Sequence, residues 1–324
     1  MARKAVILFN LGGPDSLEAV EPFLFNLFND PAIIRVPGVF RKLLARFISR
    51  RRAPVAQEIY AHIGGSSPLL PQTNAQAAAL RAALATADDE NSYEIFISMR
   101  YWHPFAEETA RDVKVYDPDE IILLPLYPQF SSTTTASSFE SWHKAAANVG
   151  LEVPTASLCC YPAEKGLAQA YAGLIAPYLV ELAGQKTRIL FSAHGLPQKI
   201  VDAGDPYQWQ IEKTAKQIVS TLDVLPADWR VCYQSRVGPM KWLQPSTEDE
   251  IRAAGAEGFN LIILPIAFVS EHSETLVELD IEYAALAETA GVPHYRRVPT
   301  VGITSSFMEG LAGLVLKAES GRVM

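Results

Sequence analysis

Cysteine is scarce in this chain. Cys159, Cys160 and Cys232 are the only three among 324 residues. An odd count with no C-x-x-C spacing gives neither a disulfide framework nor a cysteine zinc site, and it suits a reducing compartment. Positive charge is also short: 28 Lys and Arg stand against 36 Asp and Glu, a formal net charge of -8. That balance excludes a protein whose whole surface binds nucleic acid. No apolar run approaches the roughly 20 residues that cross a bilayer. The opening "RKAVILFNLGGP" does not read as a secretory signal, because its apolar run is short, contains Asn10 and ends in a Gly-Gly-Pro turn. A soluble, cytoplasmic protein with no nucleic-acid partner is the expectation.

Several signature motifs are missing as well. No G-x-G-x-x-G follows a strand and there is no Walker A loop, so nucleotide binding has no support. The G-x-S-x-G elbow and the H-E-x-x-H zinc motif are absent, which removes the common α/β-hydrolase nucleophile and the zincin site.

What is present is alternation. Short apolar runs at 4–11, 94–102, 120–128, 187–195, 229–235 and 260–268 read as buried strands, β-branched or aromatic and bounded by turn residues. Amphipathic helical patterns lie between them, such as 73–87, 166–183 and 208–222. The order predicts an α/β protein with mostly parallel sheets. The chain also looks repeated. "IILLPLYPQFSSTT" parallels "LIILPIAFVSEHSET", with Pro125 against Pro265, and "LFNLGGP" echoes "LFSAHGLP". Buried strands resemble one another anyway. If the repeat is real, it implies two similar Rossmann-like, doubly wound domains. One would span 1–150, with a final helix at about 304–324 packing on it; the other would span 151–303.

In such sheets, ligands bind beyond the carboxyl ends of the strands. His194 lies there, in "FSAHGLP", before a glycine that permits close approach of a ligand. The cluster Glu271-His272-Ser273-Glu274 lies past another strand end. On a helix, Glu271, Glu274, Glu278 and Glu282 would share one face, where like charges repel. Glu278 and Glu282 alone read as a solvated face, with the first glutamates favoured by the helix dipole. Glu271 and Glu274 beside His272 suit proton or cation handling. The hydroxyl-rich "SSTTTASS" (131–138) fits an anion site or a plain polar loop. In "VFRKLLARFISRRRAP" (39–54), Val39, Phe40, Leu43, Leu44, Phe47 and Ile48 recur at helical spacing among Arg41, Lys42, Arg46 and Arg50 to Arg52. Its apolar side would pack on the core, or meet an anionic lipid surface or acidic ligand.

These stretches together resemble the ferrochelatase family, which inserts ferrous iron into a porphyrin at the end of haem synthesis. The resemblance rests on "LFNLGGP", "RRRAPVAQEIYAHIGGSSPL", "MRYWHP", "LYPQFSSTT", "FSAHGLP", "YQSRVGPMKWLQP" and "PIAFVSEHSETLVELDIEY", in that order. It implies two Rossmann-like domains with a porphyrin cleft between them. It assigns catalysis and iron contact to His194 and Glu274, with Glu271, His272 and Glu278 as a supporting proton or metal relay. Leu11, Arg100, Tyr101, Ser235, Trp242 and Phe268 match positions that line the porphyrin pocket.

The implied partners are protoporphyrin IX and ferrous iron, with reversible contact to the inner, anionic face of a membrane. Glu271 stands where many members have aspartate. Animal members hold an iron-sulfur cluster partly through C-terminal cysteines, and no cysteine follows Cys232 here, so no cluster or other cofactor is expected. The "FISRRRAPVAQEIYAHIGGSSPL" lip resembles the protoporphyrin-using branch more than the coproporphyrin-using one. Two rivals stand beside this reading: a cobalt chelatase of the same superfamily, and a non-catalytic porphyrin or haem carrier.

Overall fold

The computed structural model describes residues 1–236, 238 and 240–318. Residues 319–324 of the expected final helix, and Val237 and Pro239 within "YQSRVGPMKWLQP", lie outside the described residues. The chain divides into two compact units. One comprises Met1–Cys160 and takes in the chain from Leu311; the other is Tyr161–Gly310.

Each unit is built on a four-stranded parallel sheet. The first contains β1 (Arg3–Asn10), β2 (Ser92–Met99), β3 (Glu120–Pro125) and β4 (Thr155–Ser157) in the order β2-β1-β3-β4. The second contains β5 (Thr187–His194), β6 (Asp228–Gln234), β7 (Asn260–Pro265) and β8 (Tyr295–Arg297) in the order β6-β5-β7-β8. Strand for strand the two orders are the same, as the repeat requires. Helices are interleaved between the strands, and Ala5–Leu8, Ile122–Leu124, Ile189–Phe191 and Leu261–Leu264 have no exposed surface. Covered parallel sheets produce such unbroken apolar runs.

Register fixes how the repeats correspond. Phe9 faces Pro125 in the first sheet and Ser192 faces Pro265 in the second. Matching the prolines aligns Gly12-Gly13-Pro14 with Gly195-Leu196-Pro197 and puts Leu11 at the position of His194. The two Leu-Phe pairs, which look alike in sequence, are therefore one residue out of step. Both prolines are tolerated because β4 pairs only with Ile121–Leu123 and β8 only with Leu261–Ile263. Past those short partners no ladder needs the missing N–H.

β4 and β8 lack the apolar runs that reveal the other strands. Because β4 completes the first sheet, that unit continues past residue 150 to Cys160. The basic amphipathic pattern belongs to a longer helix, Gly38–Ala61, which continues through Pro54. Ala45, Ala53 and Tyr60 of this helix are buried, but four of the larger apolar residues in the pattern do not pack on the core: Val39 is 74% exposed, Phe40 68%, Leu43 64% and Phe47 63%.

Candidate active site

The second unit brings His194, Glu274 and Glu278 together at the carboxyl ends of β5 and β6. His194 is the last residue of β5, and its main-chain carbonyl accepts a hydrogen bond from the Tyr207 hydroxyl at 3.1 Å. Gly195 follows, and its N–H donates to the Gln234 carbonyl at the end of β6. A Cβ on Gly195 would stand 2.8 Å from that carbonyl oxygen and 3.3 Å from the Trp242 ring. The glycine therefore serves close approach of neighbouring chain, not of a ligand as its sequence position suggested. Trp242 is held there by a bridge to Pro197, and its Nε1 is buried without a hydrogen-bond partner.

After β7 the chain passes Phe268 and His272 and enters a π-helix, Glu274–Glu282. The Tyr283 N–H donates to the Glu278 carbonyl five residues back, and such wide turns recur at functional sites. Glu274 Oε2 lies 2.7 Å from His194 Nδ1 and accepts from the Ser235 hydroxyl at 3.0 Å. Glu278 accepts from the Ser235 N–H at 2.8 Å, the Gln234 amide at 3.1 Å and the Tyr283 hydroxyl at 2.9 Å. Ser235 Oγ also bonds Glu278 Oε2. A hydroxyl has one hydrogen, so Ser235 satisfies both carboxylates as donor only in turn. With Glu278 protonated, one chain forms, in which Glu278 donates to Ser235 and Ser235 donates to Glu274.

The surroundings push these groups apart. Burial draws the His194 imidazole down, but the Glu274 carboxylate outweighs it and the net direction is up. Burial raises Glu274, but the charges of His194 and His272 and the bonds from His194 and Ser235 bring it well below the usual carboxylate range. Glu278 moves the other way, raised by burial and by the Glu274 charge. Such divergence separates a group that stays ionised from one that holds a proton. His272 is lowered by burial. Its Nδ1 accepts the Glu274 N–H at 2.9 Å, and the Phe268 ring meets it edge-on at 4.2 Å. Phe268 is itself fixed through its carbonyl, which takes the Tyr171 hydroxyl at 2.6 Å.

The four glutamates do not form one face. Glu271 precedes the π-helix and binds Arg297 Nη1 at 2.6 Å, the Thr300 N–H and the Thr275 hydroxyl. Burial raises it, yet Arg297 and those bonds leave it below its ordinary value. Arg297 also grips Asp280 inside the π-helix at 2.6 Å. Glu271 thus anchors that helix where sequence suggested a relay beside Glu274. Glu282 is exposed, and Glu278 is no solvated residue but is held by Gln234, Ser235 and Tyr283.

Leu11, Arg100 and Tyr101 belong to the first unit. Leu11 packs against a cluster of Val20, Phe23, Leu24, Tyr60 and Tyr101. Tyr101 is 1% exposed, so in this conformation its ring is core and does not line an open pocket. Its hydroxyl donates to Asp30 Oδ2 at 2.7 Å, beside Arg100 Nη2 at 2.7 Å and the Ser137 hydroxyl at 2.6 Å. Part of the hydroxyl-rich run therefore serves this buried aspartate. Asp30 escaped sequence reasoning because "NDPA" signals only a turn. Gln234, Tyr283 and Arg297 escaped it too, and the position of Tyr283 makes sense only once the π-helix is known. Among the described residues, no group of three or more His, Cys, Asp or Glu converges as a metal site.

The ferrochelatase family model matches residues 3–319. The chain belongs to the ferrochelatase family. A ferrochelatase of Phenylobacterium zucineum is 56% identical over 316 residues, covering 97% of this chain and 91% of that protein. One of Rickettsia bellii is 50% identical over 315 residues, covering 97% and 87%. Among solved structures, SirB from Bacillus subtilis with Fe3+ superposes with a TM-score of 0.57 at 12% identity, covering 98% of this chain and 95% of that one. CbiX, the terminal enzyme for siroheme biosynthesis in denitrifying bacteria, gives 0.54 at 16% identity, covering 98% and 100%. At that identity these two bear on the fold alone, which is that of the chelatases.

Proposed function

We infer that this chain catalyses the ferrochelatase reaction, insertion of ferrous iron into protoporphyrin IX with release of two protons. The observation that carries the reading is the chain of contacts His194–Glu274–Ser235–Glu278 at the strand ends of a ferrochelatase-family protein. Free-base porphyrin must give up two N–H protons and iron must shed water, so the site needs bases and a transient ligand. His194 is held through Nδ1, which assigns its acid-base or iron contact to Nε2. Glu274 stays ionised and stabilises the imidazolium that forms. Ser235 then passes charge rearrangement on to Glu278, the carboxyl that most readily holds a proton. His272 fixes the first turn of the π-helix through the Glu274 N–H, and Glu271 fixes it through Arg297. Iron is substrate here; His194 and Glu274 would meet it while the porphyrin nitrogens supply its remaining donors.

Phe268, Trp242 and Ser235 in the second unit, and Leu11 and Arg100 in the first, are the proposed porphyrin contacts. Tyr101 would act through Asp30 and Arg100. Bending the macrocycle by about 1–5 kcal/mol is within reach of such remote contacts. The cobalt-chelatase alternative is disfavoured by the ferrochelatase names of relatives at about half identity. A carrier would bind porphyrin without turnover.

The exposed Phe40, Leu43 and Phe47 among Arg46, Arg50 and Arg51 support reversible docking on an anionic membrane from the cytoplasmic side. No described helix is long and apolar enough to cross a membrane. Anaerobic incubation with ferrous iron and protoporphyrin tests the reading. Free-base fluorescence should fall catalytically; stoichiometric quenching without turnover would favour the carrier.

A further inference from the structure

Cys159 and Cys160 stand apart from the site above. They follow β4, whose last anchor is the Leu158 N–H donating to the Leu123 carbonyl at 2.9 Å. The helix Lys165–Glu181 begins shortly after, capped by Glu164 accepting from the Leu167 N–H. Neighbours in extended backbone point their side chains apart. Here the chain has left the strand, and the two Sγ atoms lie 2.8 Å from each other, inside ordinary sulfur contact. Both side chains are half-buried and in the thiol form. Cys232, also a thiol, is instead fully buried, and burial pushes it up to about 12.

We propose that Cys159 and Cys160 form a redox modification site, closed to a vicinal disulfide by exchange with a low-molecular-weight disulfide. One of the two thiolates attacks one sulfur of the small disulfide, whose S–S bond breaks and releases one small thiolate. The other Sγ, 2.8 Å away, then attacks the Sγ that carries the adduct, forming the new S–S bond and expelling the second small thiolate. The two cysteines lose two electrons and two protons; the small disulfide gains both and leaves as two thiols. Consecutive Cα atoms stand about 3.8 Å apart, short of the roughly 4.4 Å that ordinary disulfides need. The closed ring is therefore strained and easily reduced, which marks a reversible modification and not a structural bridge. Cys160 also ends the first unit, so closure stiffens the peptide at which the chain enters the second.

The test is to incubate the reduced, full-length protein with oxidised glutathione, then alkylate it in denaturant, where buried Cys232 also reacts, and measure intact mass. Wild type should lose two hydrogen atoms and keep one alkylatable cysteine, Cys232, with reversal by reduced glutathione. Cys159→Ser and Cys160→Ser should each stop at a glutathione adduct on the cysteine of the pair that remains, with no loss of two hydrogen atoms. Three alkylatable cysteines in treated wild type, a stable adduct there, or chains linked in pairs would overturn the proposal. Loss of two hydrogen atoms in either single variant would also overturn it, because it would mean that Cys232 takes part.

Discussion

His194 and Glu274 stand 80 residues apart in sequence and meet at 2.7 Å, Nδ1 to Oε2. Parallel sheet topology makes that contact. β5 and β7 are neighbours, so a group at the end of one and a helix starting soon after the other arrive together. Each then shifts the other's protonation, His194 upward and Glu274 downward.

Glu278 gives a stability prediction with a definite sign. Its folded-state pKa is raised, so the folded protein binds the proton more tightly than the unfolded chain does. Stability from this group is complete below the ordinary carboxylate value and is lost as pH rises through the raised one. Glu278→Gln cannot ionise and escapes that loss. Urea denaturation of both proteins across a pH series should show their difference moving in favour of the variant as pH rises. A constant difference would mean that Glu278 titrates normally.

Gly195→Ala would put a Cβ against the Gln234 carbonyl, which is backbone and cannot swing aside. The expected loss is about 1–3 kcal/mol, as for other overpacked sites. It should come with reduced insertion, because His194 is adjacent. Unchanged thermal stability and activity together would show that the strand ends yield easily.

How much of this was legible in sequence varied by element. The six strands with apolar runs declared themselves, while "TAS" and "YRR" carry no period and depend on tertiary pairing for their strand form. Ser235 and Glu274 could be named in advance, yet their contact follows from a π-helix that no spacing announced. The regular helical count put Glu271 on the same face as Glu274, whereas Arg297, brought from β8, takes Glu271 for itself. Tyr101 looked like a pocket residue, and its burial beside Asp30 arises from long-range packing that local pattern does not encode.

The helix Gly38–Ala61 offers a separable test. Arg50, Arg51 and Arg52 are exposed, and Arg50 is only loosely paired with Glu21 at 3.4 Å. Replacing all three with Gln should weaken binding to anionic vesicles by up to roughly 3 kcal/mol, mostly abolished by high salt. Insertion into detergent-dispersed porphyrin should survive. If wild type stays in the supernatant at low salt, the helix serves another purpose.

The most direct test of the central claim is a double-mutant cycle on the rate of anaerobic iron insertion, using His194→Ala, Glu274→Gln and the pair. Groups that act as one unit are strongly non-additive. Each single variant should lose roughly a hundred- to ten-thousand-fold in turnover, while porphyrin binding, read by fluorescence, persists. The double variant should be little worse than the poorer single one. Near-normal turnover in either single variant, or losses that multiply in the double, would contradict the assignment of iron insertion to the His194–Glu274 pair.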